Sequence, residues 1–131
     1  MNGAIVKVYS KAKNGNTKLS ANFRVKEFAC LDGSDTIFVS DELVSLLQKI
    51  RTYFGKPVVI NSAYRTEKHN KKVGGSTNSQ HKYGLAADIR INGVAPKTIA
   101  TYVNKLMPDH GGIGVYSSFV HIDVRTKKSR W

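Results

Sequence analysis

Residues 112–124 read Gly-Ile-Gly-Val-Tyr-Ser-Ser-Phe-Val-His-Ile-Asp-Val, two short apolar runs joined by Ser117-Ser118. Such a pattern predicts an antiparallel β-hairpin. Side chains alternate between the two faces of a strand. In the second arm, Val120, Ile122 and Val124 should therefore point into the core. Phe119, His121 and Asp123 should share the opposite face, which we expect to be the floor of a cleft.

Two amphipathic helices are predicted ahead of this hairpin. Apolar residues recur at helical spacing from Ser40 to Phe54. Ser40 has the chemistry of a helix cap, and Gly55 ends the pattern. Pro96 stands where the first residue of a second helix would be, because proline is favoured at that position. The apolar series behind it predicts a second core helix.

Shorter signals complete the expected fold. Strands are predicted around Ile5–Tyr9, for the buried run Pro57–Asn61 and for Gly84–Ile91, with Asn92-Gly93 as a turn. Thr66 should cap a short polar helix ending near Lys72, and the polar stretch Lys11–Lys18 should be a turn or loop. This mixed order favours an α+β fold, a small antiparallel sheet with flanking helices. Residues 1–131 should form one domain, with no role assigned to residues 1–20.

The chain is strongly basic. It has 21 Lys and Arg residues against nine Asp and Glu, a formal net charge of +12. Such a charge favours a polyanionic partner, whether nucleic acid, anionic lipid head groups or the acidic polymers of a bacterial wall. Because no nucleic-acid-binding motif is recognisable, a nucleic-acid-binding domain ranks last among the possible functions, and no specific nucleic acid is expected as a partner.

The cysteine count limits the metal chemistry. Cys30 is the only cysteine, so an intramolecular disulfide and a thiolate-rich metal site are both excluded. Cys30 itself is expected to be a small buried residue rather than a nucleophile. The N-terminus lacks the apolar run of a signal peptide, and no run is long enough for a membrane span. We expect a monomer made in the cytoplasm.

Three residues form a candidate metal site of nitrogen and oxygen ligands. His81 and Asp88 lie at opposite ends of one segment that enters a strand at Gly84, and His121 would arrive from the hairpin. Two imidazoles and a carboxylate are a ligand set that zinc accepts in catalytic sites, where a fourth position stays open for water. A buried Asp88 could instead be paired with an arginine, Arg65 or Arg90.

These residues also lie within a longer set of motifs. They are Ser79-x-His81-x-x-Gly84-x-Ala86-x-Asp88, Gly114-x-Tyr116, Phe119-Val-His121-x-Asp123, Phe23-x-x-x-Glu27-Phe28 and Asn61-Ser-x-Tyr64-Arg65-x-x-x-His69-Asn70. Together they resemble the M15 zinc D-Ala-D-Ala carboxypeptidase-like peptidases, especially the short branch common in phage and prophage lysis or tail modules. The resemblance covers most of the chain from about residue 20, and it implies a hedgehog/DD-peptidase-like fold.

The resemblance implies a function and a site. Zinc would be held by His81, Asp88 and His121, and Arg65 would contact a substrate carboxylate or the oxyanion. Ser79 and Tyr64 would line the cleft. The reaction would be zinc-dependent hydrolysis of a peptide bond in bacterial peptidoglycan, by a carboxypeptidase or an endopeptidase. An endolysin without a signal peptide would reach the wall through phage lysis or delivery in a particle.

One departure from the family bears on catalysis. Many members have a catalytic Glu or Asp three residues before the last zinc-binding His, and Ser118 occupies that position here. Asp123 is then the candidate general base, although it could instead orient His121 or bind the metal itself. The missing carboxylate leaves a rival function open, a non-catalytic zinc-binding module on the same fold.

Overall fold

The computed structural model describes residues 5–131 and contains helices and strands in mixed order. Along the chain they are β1 (Val6–Ser10), α1 (Lys11–Asn14), β2 (Lys18–Ser20), β3 (Phe23–Arg24), a 3-10 helix (Val25–Phe28), β4 (Thr36–Ser40), α2 (Asp41–Phe54), β5 (Val59–Ser62), α3 (Glu67–Lys72), a second 3-10 helix (Gln80–Tyr83), β6 (Ala86–Arg90), α4 (Pro96–Leu106), β7 (Gly112–Val115), β8 (Val120–Asp123) and β9 (Ser129–Arg130). The α+β class predicted from the sequence is confirmed.

The main sheet has five strands in the order β5-β6-β8-β7-β9. Its pairs are antiparallel except for β7 and β9, which run parallel. The predicted hairpin is present as β7 and β8, closed by a backbone hydrogen bond of 3.0 Å from Tyr116 N to Phe119 O. Val120, Ile122 and Val124 are buried, as the alternation predicted. Two-stranded sheets pair β1 with β4 and β2 with β3.

The two long helices form where their end signals predicted. The Ser40 hydroxyl accepts a hydrogen bond from Leu43 N, and Gly55 ends α2 in the left-handed conformation at φ 64°. Pro96 begins α4, whose residues Ile99 and Val103 are fully buried. Both helices contribute apolar side chains to one core that also contains the inward faces of β6 and β8.

Two local predictions are wrong. The polar stretch 11–18 is not simply a loop, because it contains α1 and the start of β2. The short helix is stabilised from outside the stretch, since the Asp35 carboxylate accepts from Ala12 N at 2.8 Å and from the Ser10 hydroxyl at 2.7 Å. The run 57–61 is not a buried strand either. Residues 59–61 contribute to β5 at the edge of the main sheet and are half-buried or exposed, and Val58 just before the strand is the buried residue of the run.

No helix among residues 5–131 has the length and apolarity that crossing a membrane requires.

Candidate metal centre

His81 reaches the centre from the second 3-10 helix, just ahead of β6. The Ser79 hydroxyl accepts a hydrogen bond from His81 N at 3.3 Å, and Gly84 ends the helix at φ 74°. The imidazole is buried, and its Nδ1 lies 2.7 Å from Ala63 O. Because a carbonyl oxygen only accepts, Nδ1 carries the hydrogen, which leaves Nε2 as the ring nitrogen that faces Asp88 and would bind a metal.

Asp88 and His121 face each other across neighbouring strands. They are register partners on β6 and β8, so both side chains lie on the same face of the sheet. Asp88 Oδ1 lies 2.9 Å from His121 Nδ1 and 3.3 Å from His81 Nε2. One ligand atom from each of the three residues lies within 4.8 Å of the others. The structure therefore brings together the three residues that the sequence selected.

The close contacts among these residues shift the pKa values of Asp88 and His121. Burial opposes ionisation of Asp88, but hydrogen bonds from His121 and His81 outweigh it and hold the pKa of the carboxyl well below its usual range. Burial likewise opposes protonation of His121, and its contacts with Asp123 and Asp88 outweigh that and raise its pKa. Two imidazoles directed at one buried carboxylate form a compact nitrogen and oxygen donor set, and such a set fits zinc.

Asp123 lies behind His121 and is fully buried. Its carboxylate is 2.8 Å from His121 Nε2 and accepts hydrogen bonds from the Arg125 guanidinium and from Gly112 N. Burial raises the pKa of this carboxyl, but the bonds from His121 and Arg125 outweigh that effect and lower it far below its ordinary value. Among the roles that the sequence left open, these contacts favour orientation of His121.

The other predicted site residues lie at different positions relative to the metal centre. Arg65 is adjacent, with Nη2 3.4 Å from Asp88 Oδ2, and Ser62 and Asn70 hold the rest of its guanidinium. The ion pair with Asp88 that was the alternative to a metal is thus present. Tyr64 is buried in the core against Phe38. Ser79 is half-buried and caps the 3-10 helix that carries His81.

Several residues of the site were missed by the sequence analysis. Arg125 holds Asp123 through paired hydrogen bonds of 2.8 and 2.7 Å. Gly112 stands opposite Asp123 in the hairpin register, and Gly114, already part of the Gly114-x-Tyr116 motif, stands opposite His121. A Cβ at Gly112 would lie 2.2 Å from Asp123 Oδ2, so only glycine leaves room for that carboxylate. The glycines at alternate positions of β7 were the sequence signal that could have revealed this close approach. Trp131 also packs against His121, with ring centroids 5.1 Å apart.

A large open groove lies elsewhere on the molecule. Its volume is about 980 Å³, and α2, β1 and β2 supply most of its lining. None of the three ligand residues borders it. The candidate centre is defined by its donor atoms and burial rather than by the size of a cavity.

The buried cluster of two histidines and one aspartate, with Arg65 beside it, has the ligand types of a catalytic zinc site. The sequence profile of the Peptidase M15 family matches residues 21–123, which include all three ligand residues. The chain belongs to the peptidase M15 family. The donor set and the family agree on zinc as the cofactor of this site.

One curated relative shares a shorter stretch. The zinc D-Ala-D-Ala carboxypeptidase of Streptomyces albus G is 46% identical over 44 residues. The match covers 33% of this chain and only 17% of the relative, so the chain spans a small part of that protein's length.

Proposed function

We propose that this protein hydrolyses a peptide bond of bacterial peptidoglycan with the help of zinc, in the stem peptide or the cross-bridge. The observation that carries the proposal is the buried group His81, Asp88 and His121 in a chain of the peptidase M15 family. The similarity to a D-Ala-D-Ala carboxypeptidase supports peptidoglycan as the substrate. Both carboxypeptidase and endopeptidase activity are compatible with this site.

The ligand residues are arranged before any substrate binds. His81, Asp88 and His121 would hold zinc, which supplies Lewis acidity for amide hydrolysis. Ala63 O fixes the tautomer of His81, and Asp123 fixes the ring of His121 from behind. Such partners maintain the orientation and basicity of metal-binding imidazoles.

Arg65 is the residue that we propose to contact the substrate. Ser62 and Asn70 hold its guanidinium in place, and its side chain retains 15% exposure at the centre. A planar cation in this position can hold a substrate carboxylate by two hydrogen bonds or stabilise negative charge on the attacked carbonyl oxygen. The Ser79 hydroxyl accepts a hydrogen bond from the His81 backbone N–H, and Tyr64 packs in the core against Phe38.

A non-catalytic zinc-binding module is the second candidate. Ser118 lies exposed in the hairpin turn and offers no carboxylate, and Asp123 is fully buried and engaged by Arg125. Neither residue is in the ordinary position of a general base. Bound zinc without turnover would be the signature of this second function.

Digestion of purified peptidoglycan by zinc-loaded and chelator-stripped protein tests the proposal, with mass spectrometry of the released fragments. We expect zinc-dependent cleavage, and the fragments identify the bond. His81→Ala and His121→Ala should each lose zinc and activity. His110→Ala is the matched control, because His110 lies 3.7 Å from Glu42 and outside the centre. Zinc retained without cleavage of any wall type would support the non-catalytic module.

The basic charge and the phage-like motifs suggest where the enzyme works. We propose that the protein reaches the wall through a lysis system or a particle, as an endolysin would. Its net charge of +12 suits anionic wall polymers, which would concentrate the enzyme at its substrate.

A further inference from the structure

The segment 129–131 is fixed firmly beside the metal centre. β9 pairs with β7, and Trp131 extends this pairing by one residue. Trp131 N donates a hydrogen bond to Ile113 O, and Val115 N donates one to Trp131 O, both at 2.9 Å. The Arg130 guanidinium adds hydrogen bonds to the carbonyl oxygens of Met107 and Gly111. These bonds hold the backbone of Trp131 against β7.

The indole of Trp131 occupies space that β7 leaves open. A Cβ on Gly114 would lie 2.4 Å from the indole ring, and Gly114 is the register partner of His121. The ring therefore reaches His121, with centroids 5.1 Å apart, yet 48% of Trp131 remains exposed. This exposed part of the indole is available for contact with a ligand.

Two further aromatic residues extend this surface. Tyr116 and Phe119 flank the hairpin turn and stack with centroids 4.5 Å apart and nearly parallel rings. The Tyr116 hydroxyl accepts a hydrogen bond from Trp131 Nε1 at 2.8 Å. We call Trp131, Tyr116 and Phe119 the aromatic shelf. It borders His121 and is partly open to solvent.

The chemistry of the shelf restricts what it can bind. The indole N–H is already donated to Tyr116, so the exposed surface of Trp131 is mainly carbon. The Arg125 guanidinium lies 5.5 Å from the indole centroid, so a cation already contacts the ring. A second cation is disfavoured there by repulsion. An aliphatic group, which gains from burial and dispersion, fits the remaining surface.

We infer that the aromatic shelf is a substrate subsite that takes the aliphatic side chain of the peptide residue next to the cut bond, with Trp131 as its main specificity-determining residue. The inference rests on the proposed peptidase function. A purely structural alternative is that Trp131 only braces His121. Bracing predicts lower zinc affinity in variants and equal losses for all substrates, whereas a subsite predicts retained zinc and a loss confined to aliphatic substrates.

Trp131 is the only tryptophan in the chain, so its fluorescence reports on the shelf directly. Zinc-loaded wild type is titrated with stem-peptide fragments that carry Ala or Gly next to the cut bond. We expect a saturable fluorescence change at lower concentration for the Ala peptide. Absence of any change for either peptide would overturn the subsite. Because this titration needs no turnover, it separates failure of the subsite from failure of the proposed catalysis.

Steady-state kinetics of variants provide the second test. Trp131→Ala should retain zinc, raise KM for the Ala peptide by about tenfold and remove the preference over Gly, while Trp131→Phe should preserve most of it. Tyr53→Ala is the control, an exposed aromatic that stacks on Tyr102 away from the centre. Zinc loss, or an unchanged Ala preference in a folded Trp131→Ala variant, would contradict the subsite. Should Trp131→Ala not fold, Trp131→Phe and the titration decide.

Discussion

At the scale of single residues, Asp123 has the contacts that decide how His121 is held. Its carboxylate joins the imidazole to Arg125 and to Gly112 N, and no part of it is exposed. Replacement by alanine would leave Arg125 and Gly112 N without their acceptor. Breaking a buried pair in this way typically costs about 3–5 kcal/mol of unfolding free energy. We expect that loss for Asp123→Ala in urea unfolding of the metal-free protein.

Asp123→Asn separates two of the roles considered for this residue, orientation of His121 and action as the general base. Asparagine keeps the shape and one acceptor but loses the charge that supports His121. An orienting role predicts that zinc affinity falls by about 10–100-fold, as for other outer partners of metal-binding histidines. Measuring zinc affinity by competition with a chelating dye checks this. Unchanged affinity together with lost turnover would instead identify Asp123 as the general base.

At the scale of elements, Gly84 controls how the 3-10 helix of His81 passes into β6. It has φ 74°, and a Cβ there would lie 2.5 Å from Phe38 O. Alanine at this position would cost about 1–2 kcal/mol for the left-handed backbone conformation and about 1–3 kcal/mol for the overlap of its Cβ with Phe38. Gly84→Ala should lose the sum of these in unfolding free energy, and should bind zinc more weakly because His81 shifts.

Gly55→Ala is the matched control for that prediction. Gly55 has a similar φ of 64°, but nothing lies within 4 Å of its added Cβ. Only the conformational cost of about 1–2 kcal/mol should appear, with zinc affinity unchanged. Equal effects of the two substitutions would show that the approach of Phe38 to Gly84 has no energetic weight.

The contact between Asp35 and α1 predicts a pH dependence of stability. Hydrogen bonds from the Ser10 hydroxyl and Ala12 N lower the pKa of Asp35 below its ordinary value of 3.8. A lowered folded-state pKa contributes stability above pH 3.8, and that contribution is lost as the pH falls toward the folded-state value. Asp35→Asn should therefore be less stable than wild type at pH 7. Thermal unfolding should show the difference shrinking below pH 3.8, and a constant difference would exclude the ionic contribution.

Local signals predicted the elements whose stability is largely local. The structure contains the predicted helix caps at Ser40 and Thr66 and the predicted helix start at Pro96. It also contains the strand that the alternation from Phe119 to Val124 predicted. The elements that were missed depend on partners distant in sequence. α1 requires Asp35, 23 residues beyond Ala12, and β9 forms only because β7 is available to pair with it. No window of neighbouring residues contains that information.

At the scale of the whole molecule, some residues of the metal centre could likewise be predicted from the sequence and others could not. His81, Asp88 and His121 could be selected from the sequence because their types and motifs suit a metal. The distance between Asp88 and His121 follows from β6 pairing with β8, and His81 is placed by the 3-10 helix ahead of β6; no local pattern specifies the strand pairing. Arg125 and Trp131 were not identified, since an arginine and a tryptophan in a basic tail have no distinctive spacing. Only the sheet places them next to Asp123 and His121.

The net charge of +12 belongs to the molecule as a whole and gives a last prediction. Adsorption to walls that retain anionic polymers should be strong at low salt and fall steeply as salt rises, because exposed charges are screened beyond about 8–10 Å at physiological ionic strength. Sedimentation with purified walls measures it. Walls stripped of those polymers should bind less and lose most of the salt dependence.

Hydrolysis of a short soluble stem peptide provides the internal control, since such a substrate depends on the buried centre rather than on the polyanionic surface of the wall. Its rate should change little over the same salt range, so that salt separates attraction to the wall from cleavage of the bond. Adsorption that persists unchanged at high salt would mean that specific contacts, not charge, hold the protein on the wall. Equally salt-sensitive binding to arbitrary DNA would show that the charge does not by itself select wall polymers, and that selection must come from the site around His81, Asp88 and His121.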